Sequence, residues 1–149
     1  MTEVTLIDMV IRLSIAAACG MVVGMEREVK ERPAGLRTFT LISIGAASFT
    51  LIVLEVVEQF LLLKDEDMIA IDPTRIIKGV IGGIGFLGAG AIIQSQGRVV
   101  GVTTGASIWV SGAIGVACGF GLLKLAGLIT AMIFLILWGL GSIERRYIK

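Results

Sequence analysis

Long stretches without a charged side chain are the dominant pattern in this chain. Four of them cover residues 38–54, 79–97, 99–123 and 125–143. A fifth apolar stretch, about 5–25, is interrupted only by Asp8 and Arg12. Each is close to the roughly 20 residues that a helix needs to cross the hydrocarbon core of a bilayer. The pattern therefore predicts an all-α, polytopic transmembrane helix bundle.

The whole chain, residues 1–149, is predicted to form a single transmembrane domain with about five spans. The expected spans are about 5–25, 38–57, 76–95, 101–122 and 125–143. Lys and Arg concentrate in the cytoplasmic loops of membrane proteins. Eight of these residues fall in the first loop, the third loop and the C-terminal tail, against four in the other two loops. We therefore expect the N-terminus outside and the C-terminus in the cytoplasm.

Composition supports a membrane protein whose helices pack closely. Hydrophobic residues make up 56% of the chain, and the mean hydropathy is +0.95. The 20 glycines suit membrane helices, in which small residues let backbones approach each other. The third and fourth spans hold most of them and are predicted to be central, whereas the fifth is predicted to be peripheral. The net charge of +1 gives no indication of a nucleic-acid partner.

Carboxylates near the ends of the spans are candidate ligands for a cation. Glu26 and Glu28 follow the first span, and Asp72 and Arg75 open the third. A hard cation such as Mg²⁺ keeps several waters and needs only one or two carboxylates. Glu26 and Asp72 are therefore candidate metal ligands, with Mg²⁺ as ligand or substrate and no other cofactor expected. The alternatives are a solvated charged flank for Glu26 and a helix N-cap for Asp72.

Two further groups of residues could contribute to an ion path. Thr103 and Thr104 lie early in the fourth span, and their hydroxyls could line a path or hydrogen-bond to helix backbones. The glycine run 82–91 could interrupt the third helix and expose backbone carbonyls to a cation. Its glycines at positions 83, 85, 88 and 90 are conformational or packing candidates, namely Gly83, Gly85, Gly88 and Gly90.

Isolated polar and sulfur-containing residues give two structural expectations. Asp8 and Arg12 are four residues apart, so they share a helix face and could form an ion pair. Cys19 and Cys118 fall in apolar stretches that the topology places near opposite membrane faces. We therefore expect two free cysteines and no intrachain disulfide.

Several motifs, taken together, resemble the MgtC/SapB family of bacterial inner-membrane proteins. In chain order they are Gly24-Met25-Glu26-Arg27-Glu28, Arg32-Pro33-Ala34-Gly35-Leu36-Arg37-Thr38, Asp72-Pro73-Thr74-Arg75, the 83–92 run, Gly101-Val102-Thr103-Thr104, Trp109-Val110-Ser111 and Ala117-Cys118-Gly119-Phe120-Gly121. The resemblance covers almost the whole chain. It implies a multi-pass protein of the bacterial inner membrane, linked to magnesium homeostasis, acid resistance and virulence.

The resemblance also has two departures. The family usually places an arginine just before the Gly-Leu-Thr-Thr run, where this chain has Val100, with Arg98 two residues earlier. Longer members carry a soluble C-terminal domain, whereas this chain ends at Lys149. The expected function is therefore one that the membrane domain performs without that soluble domain.

Two functions remain open at this stage. In the first, a dimer or larger homo-oligomer in the lipid bilayer conducts Mg²⁺ along the candidate ion path. In the second, the chain is a regulatory subunit that binds another membrane protein, a transport ATPase or ATP synthase, through its glycine faces. Arg27, Arg32 and Arg37 are then candidate contacts with the partner protein. Arginines at helix starts, such as Arg32, Arg37 and Arg75, also leave a lipid or small anion possible as a ligand.

No enzymatic activity is expected, because the chain has no histidine, Walker A motif or nucleophile elbow.

Overall fold

The computed structural model describes residues 4–62, 73–95 and 97–141. These residues form five helices and one short β-hairpin. The elements are α1 (Leu6–Val29), α2 (Leu36–Leu62), α3 (Pro73–Gly90), β1 (Ile93–Ser95), β2 (Arg98–Val100), α4 (Val102–Gly119) and α5 (Leu123–Leu135), which continues as a π-helical turn (Ile136–Leu140). The predicted all-α helix bundle is confirmed.

Four helices are long and apolar enough to cross a membrane, judged by length and composition. They cover Leu6–Val29, Leu36–Gln59, Val102–Gly119 and Leu123–Leu140. In α3 the apolar part is shorter, Ile77–Gly90, which at 1.5 Å per residue extends about 20 Å. The third predicted span, 76–95, is therefore shortened, because the chain leaves the helix after Gly90 and enters the β-hairpin.

The glycine run in the third span does not interrupt its helix. Helix α3 runs continuously through Gly83, Gly85 and Gly88 and ends at Gly90. Carbonyls inside a continuous helix accept backbone hydrogen bonds from its following turn. The expected break with exposed carbonyls is therefore absent from α3. The hairpin that follows pairs β1 with β2 antiparallel, and Gly97 turns the chain at a φ of 76°.

Helix α4 is the centre of the bundle. Inside the bundle, 61% of its span is buried, against 22–28% for the three other candidate spans. It packs against α1, α2, α3 and α5. The prediction that the third span is also central is wrong. Helix α3 packs mainly on α4 and lightly on α2, and its Phe86 side chain is 80% exposed.

Glycines bring helix α2 into backbone contact with its two main neighbours. A Cβ added to Gly20 or Gly24 of α1 would lie 2.7 Å from backbone atoms of Phe39 or Leu36. On the other side of α2, an added Cβ on Gly119 of α4 would lie 2.8 Å from the Ala47 carbonyl oxygen. Small residues at four-residue intervals permit this approach. The bundle core is therefore built from α1, α2 and α4.

Asp8 and Arg12 have different partners and do not form the expected pair. The Asp8 carboxylate accepts hydrogen bonds from the Thr5 amide and hydroxyl and completes a capping box at the start of α1. Arg12 donates from Nη1 to the Gly119 carbonyl oxygen at 2.8 Å. This contact places a cation at the C-terminus of α4, where the helix dipole favours positive charge.

The two cysteines are free, but they lie together. Cys118 is fully buried in the core, and Cys19 packs against the same cluster from α1. Both side chains therefore lie at the same core cluster between α1 and α4. The expectation that they lie near opposite membrane faces is therefore wrong. Cys19 lies near the middle of the 24-residue helix α1 rather than near its end, and α1 packs along α4.

Candidate functional site

A cavity of about 1060 Å³ lies at one end of the bundle. It is formed by the last turn of α1, the loop after it, the second strand of the hairpin, the first turn of α4 and the end of α5. We call it the basic cavity, because every charged residue that lines it is cationic. Its charged lining residues are Arg27, Lys30 and Arg32. Thr103 and Thr104 also line it, and Ile136, Leu137 and Leu140 make the lining partly apolar.

Glu26 lies behind this cavity in a buried ionic network. Its residue is 6% exposed. Its carboxylate pairs with Lys30 Nζ at 2.5 Å and with Arg27 Nη1 at 3.6 Å. Lys30 also donates to the carbonyl oxygen of Leu137 at 2.8 Å. Lys30, four residues after Glu26, thus connects the end of α1 to the π-helical turn that follows α5.

Arg27 combines deep burial with incomplete hydrogen bonding. The residue is 4% exposed, and its Nε–H has no acceptor. Its contact with Glu26, at 3.6 Å, is longer than the 2.7–3.2 Å of an ordinary N–H···O hydrogen bond. Buried guanidinium groups normally have partners for their donors. Arg27 therefore borders the cavity and carries one donor, the buried Nε–H, that has no acceptor.

The loop between α1 and α2 is closed by local hydrogen bonds. Glu31 has a left-handed φ of 52°, and the amides of Glu31 and Arg32 donate back to the carbonyls of Glu28 and Arg27. These two bonds form a Schellman motif at the end of α1. The Glu28 carboxylate accepts from the Leu36 amide at 2.9 Å and so caps the start of α2. Glu28 therefore has a structural role here and does not line the cavity.

Helix α4 begins at the cavity without a side-chain cap. Gly101 is the N-cap residue and has a φ of 92°. A Cβ at this position would collide with the Ala91 carbonyl oxygen, so the chain can turn here only with glycine. A glycine cap leaves the first amides of the helix without a side-chain acceptor. Thr104 is buried. The Ser107 hydroxyl donates to the Thr103 carbonyl oxygen at 2.7 Å, so the Ser107 hydroxyl does not reach another helix.

The structure brings together some of the residues singled out from the sequence and separates others. Arg27, Arg32, Thr103 and Thr104 line one cavity, with Glu26 directly behind it. Arg37 is exposed in the first turn of α2 at the same end and is outside the cavity lining. Arg75 is exposed in the first turn of α3, about 20 Å along that helix from its hairpin end. Asp72 lies outside the described residues.

The four candidate glycines of α3 have different surroundings. Gly88 packs against α4, and a Cβ there would lie 3.0 Å from the Gly105 carbonyl oxygen. Gly83, Gly85 and Gly90 have no atom within 4 Å of an added Cβ. Gly88 is thus at a close helix contact, and the other three face open space in this chain.

Sequence patterns left three contributors to the cavity unidentified, namely Lys30, Gly101 and the Leu137 carbonyl. Lys30 carries a usable signal, because its spacing of four residues from Glu26 places both on one helix face. Gly101 also carries one, because a glycine between a strand and a helix often marks a left-handed turn. The Leu137 carbonyl carries none, since every residue has a backbone carbonyl.

Comparison with known proteins identifies the family. The family model for the MgtC family matches residues 13–146. This chain belongs to the MgtC family. The predicted resemblance is therefore confirmed over most of the chain. The match includes every described residue of the basic cavity.

Several relatives of this MgtC-family chain have names. It is 41% identical over 131 residues to "Putative magnesium transporter YhiD" of Escherichia coli strain K12, covering 87% of this chain and 59% of the relative. It is 41% identical over 128 residues to Protein MgtC of Brucella abortus, covering 81% of this chain and 49% of the relative. It is 36% identical over 118 residues to Protein SapB of Bacillus subtilis, covering 78% and 50%.

The relatives are longer than the region they share with this MgtC-family chain. The match spans about half to three fifths of the length of the YhiD, MgtC and SapB proteins. No solved structure matches the chain. The fold and cavity described above therefore belong to the shared membrane region of the family.

The basic cavity is better suited to an anion than to a cation. Mg²⁺ is bound by carboxylates, carbonyls and water, whereas the charged groups on this cavity wall are cationic. Glu26 does not line the cavity; its carboxylate pairs with Lys30 and Arg27, although neither carboxylate oxygen has a hydrogen bond of good geometry. Across residues 4–62, 73–95 and 97–141, no three His, Cys, Asp or Glu side chains are grouped closely enough to hold a metal ion.

Proposed function

We propose that this chain is a bacterial inner-membrane protein of magnesium homeostasis that acts by binding another membrane protein. The link to magnesium rests on the family and on the name of the YhiD relative, 41% identical over 131 residues. The regulatory mode of action is supported by one feature of the bundle. That feature is an open apolar groove between α2 and α3.

The groove between α2 and α3 has a volume of about 640 Å³. Its walls are apolar, with Phe49 on α2 and Leu87 on α3 among them, and its floor contains three glycines. These are Gly45, Gly79 and Gly83, and none has an atom within 4 Å of an added Cβ. We call this surface the glycine groove. Between α1 and α2, and between α2 and α4, glycines are instead in close contact with a neighbouring backbone.

A transmembrane helix of a partner protein is the occupant that this groove fits. Lipid chains are as apolar as leucine, so helices associate in a bilayer through close packing rather than through hydrophobicity. Glycines on the groove floor allow the backbone of a second helix to approach α2 and α3 together. The partner proposed is a transport protein or ATP synthase of the same membrane. A second copy of this chain, giving a dimer, is the competing occupant.

The test is site-specific photocrosslinking from the glycine groove in native membranes. A photoreactive residue at Phe49 or Leu87 is expected to crosslink to a membrane protein whose mass differs from that of this chain. A crosslinker at Leu128, which is exposed on α5, serves as the position control. Gly83→Leu fills the groove and is expected to abolish the crosslink. Gly127→Leu adds the same side chain to α5, also with no atom within 4 Å, and is expected to leave it unchanged.

Crosslinks to a second copy alone would contradict the regulatory proposal and favour a homodimer. Crosslinking that survives Gly83→Leu would remove the glycine groove from the interaction. Because Gly83 and Gly127 both face open space, either variant is expected to keep the fold. Thermal unfolding of the two purified variants checks this.

Mg²⁺ transport is the second candidate, and the name of the YhiD relative favours it. The test is Mg²⁺ flux into liposomes that contain only the purified protein. Flux that is lost in Glu26→Gln or Asp72→Asn would favour a transporter and assign those carboxylates to its path. With the protein shown to be folded, absence of flux together with a groove-dependent crosslink would favour the regulator.

A further inference from the structure

We propose that the basic cavity binds a phosphate group, supplied either by free inorganic phosphate or by the headgroup of an anionic phospholipid. The proposal goes beyond the proposed regulatory function and does not depend on it. It rests on three features of one cavity: its charge, an incompletely bonded buried arginine and an open helix N-terminus.

The charge of the cavity favours an anion. Arg27, Lys30 and Arg32 line it, and no acidic residue does. Glu26 lies behind the wall and neutralises part of this charge, because it pairs with Arg27 and Lys30. Within residues 4–62, 73–95 and 97–141, Arg32 has no such counter-ion. A net positive charge therefore remains at the cavity, and its unpaired member, Arg32, is exposed, so its attraction for an anion is screened by salt.

Arg27 supplies a donor that the protein leaves unused. The residue is 96% buried, since 4% of it is exposed, and its Nε–H lacks an acceptor. A guanidinium presents five N–H donors in a planar fork that matches phosphate oxygens. An unsatisfied buried donor costs about 1–3 kcal/mol. The Nε atom is itself buried, so a bound phosphate would accept from the guanidinium donors that border the cavity, and it would accept from Nε–H only if the Arg27 side chain turned toward it.

The start of α4 supplies a second type of donor. The Gly101 cap has no side chain to accept from the first amides of the helix. The amides of a helix N-terminus point along the axis, out of the helix, and carry about half a positive charge together. Gly101, Val102, Thr103 and Thr104 all line the cavity. The helix N-terminus and the three cations therefore face the same space, as in phosphate sites at helix N-termini.

The apolar part of the wall allows either source of the phosphate group. Ile136, Leu137 and Leu140 of α5 border the cavity, and Leu140 is exposed. These side chains could contact the acyl chains of a phospholipid whose headgroup enters the cavity. Free phosphate would use only the polar wall. The two sources are distinguished by experiment.

The experiment measures binding of two probes to the full chain in lipid nanodiscs. The first probe is radiolabelled inorganic phosphate, added to nanodiscs of zwitterionic phosphatidylcholine. The second is phosphatidylglycerol, whose retention is measured by native mass spectrometry. We expect saturable binding of one probe that weakens as the salt concentration rises.

Two arginines at the same end of the bundle provide a matched pair of variants. Arg32→Gln removes a cation from the cavity and is expected to weaken binding roughly tenfold, as loss of one charge-assisted hydrogen bond does. Arg37→Gln removes an exposed cation outside the cavity and is expected to leave binding unchanged. Val100 also lines the cavity, so Val100→Arg adds a cation there and is expected to strengthen binding.

Arg27 is tested with a conservative variant, because its removal could affect folding. Arg27→Lys keeps the positive charge but lacks the planar guanidinium with its five donors. We expect it to weaken binding of the probe while the protein stays folded.

Phosphate binding that depends on Arg32 would identify the free anion as the source. Phosphatidylglycerol retention that depends on Arg32, without phosphate binding, would identify the lipid. Failure to bind either probe, or equal effects of Arg32→Gln and Arg37→Gln, would overturn the proposal.

Discussion

At the scale of single residues, the ionic network at the end of α1 has one anion for two cations. The Glu26 carboxylate is the anion for both Arg27 and Lys30, and it is almost completely buried. Charged groups in the low-dielectric interior are tolerated when they are paired. Removing the single anion would leave Arg27 and Lys30 without a counter-ion, although Lys30 would keep its hydrogen bond to the Leu137 carbonyl oxygen.

We therefore predict that Glu26→Gln destabilises the bundle by about 3 kcal/mol, in the range measured when one partner of a buried pair is removed. Glu28→Gln is the matched control, because Glu28 is exposed and an amide oxygen can still accept from the Leu36 amide. We expect Glu28→Gln to lower the free energy of unfolding by less than about 1 kcal/mol. Unfolding of both variants in detergent measures the difference. Equal losses would show that the network contributes no more than the helix cap.

The two Schellman motifs in the described chain differ at their left-handed residue. Helix α1 ends with Glu31, at a φ of 52°, and α4 ends with Gly121, at a φ of 76°. A side chain in this conformation costs about 1–2 kcal/mol. Glycine adopts the left-handed conformation without this cost, so Gly121 suits the motif at α4. The motif at α1 carries backbone strain at Glu31.

This difference predicts opposite effects for two substitutions. Glu31→Gly is expected to stabilise the bundle by about 1 kcal/mol, once the greater freedom of glycine in the unfolded chain is deducted. Gly121→Ala is expected to destabilise it by more than about 1 kcal/mol, because its Cβ would also lie 3.2 Å from the Arg12 guanidinium. Thermal unfolding of the two variants shows whether each substitution raises or lowers the stability of the bundle. A destabilising Glu31→Gly would mean that the Glu31 side chain makes a contribution larger than its backbone strain.

At the scale of helices, the glycines separate into those that touch a neighbour and those that do not. The charge-free stretches predict where the helices lie. The sequence could not show which glycines meet another backbone, because composition records the capacity for close packing and not the presence of a neighbour. For this reason α3, rich in glycine, was expected at the centre and lies at the edge.

The same distinction gives a prediction for two substitutions by alanine. At Gly115 an added Cβ would lie 2.7 Å from the Ala46 Cβ and would also collide with the Ser43 carbonyl oxygen. Gly115→Ala is therefore expected to destabilise the bundle by about 1–3 kcal/mol, the cost of overpacking a core. Gly127→Ala has open space and is expected to be neutral or stabilising, because alanine is the better helix former. If both variants unfold alike, α2 and α4 are not in backbone contact.

Contacts between distant helices show what the sequence could not predict about the site. Arg12 and Lys30 both donate to backbone carbonyls 107 residues away, on Gly119 and Leu137. A carbonyl acceptor has no side-chain signature, so sequence patterns paired Arg12 with the nearby Asp8 instead. The basic residues of the cavity were visible in the sequence as a charged loop. That they share a cavity with the start of α4 follows only from the packing.

At the scale of the whole molecule, the basic cavity and the hairpin lie at the end of the bundle that carries the first loop. The excess of Lys and Arg in that loop, the third loop and the tail predicts that this end faces the cytoplasm. The sidedness also decides which solutes can reach the cavity. A phosphate site on the cytoplasmic side would sample the phosphate and the anionic lipid headgroups of that side.

Cysteine labelling in intact cells tests this sidedness. Cys19→Ala and Cys118→Ala remove the native thiols, and a single cysteine is then placed at Glu31, in the loop after α1, or at Lys124, in the first turn of α5 at the opposite end of the bundle. Both positions are exposed. We expect a membrane-impermeant maleimide to label the Lys124→Cys protein and to leave the Glu31→Cys protein unlabelled until the membrane is opened. Because both sites are exposed, a difference in labelling reports the side of the membrane and not burial. The reverse pattern would place the basic cavity outside the cell, where free phosphate and lipid of the outer leaflet would be its available ligands.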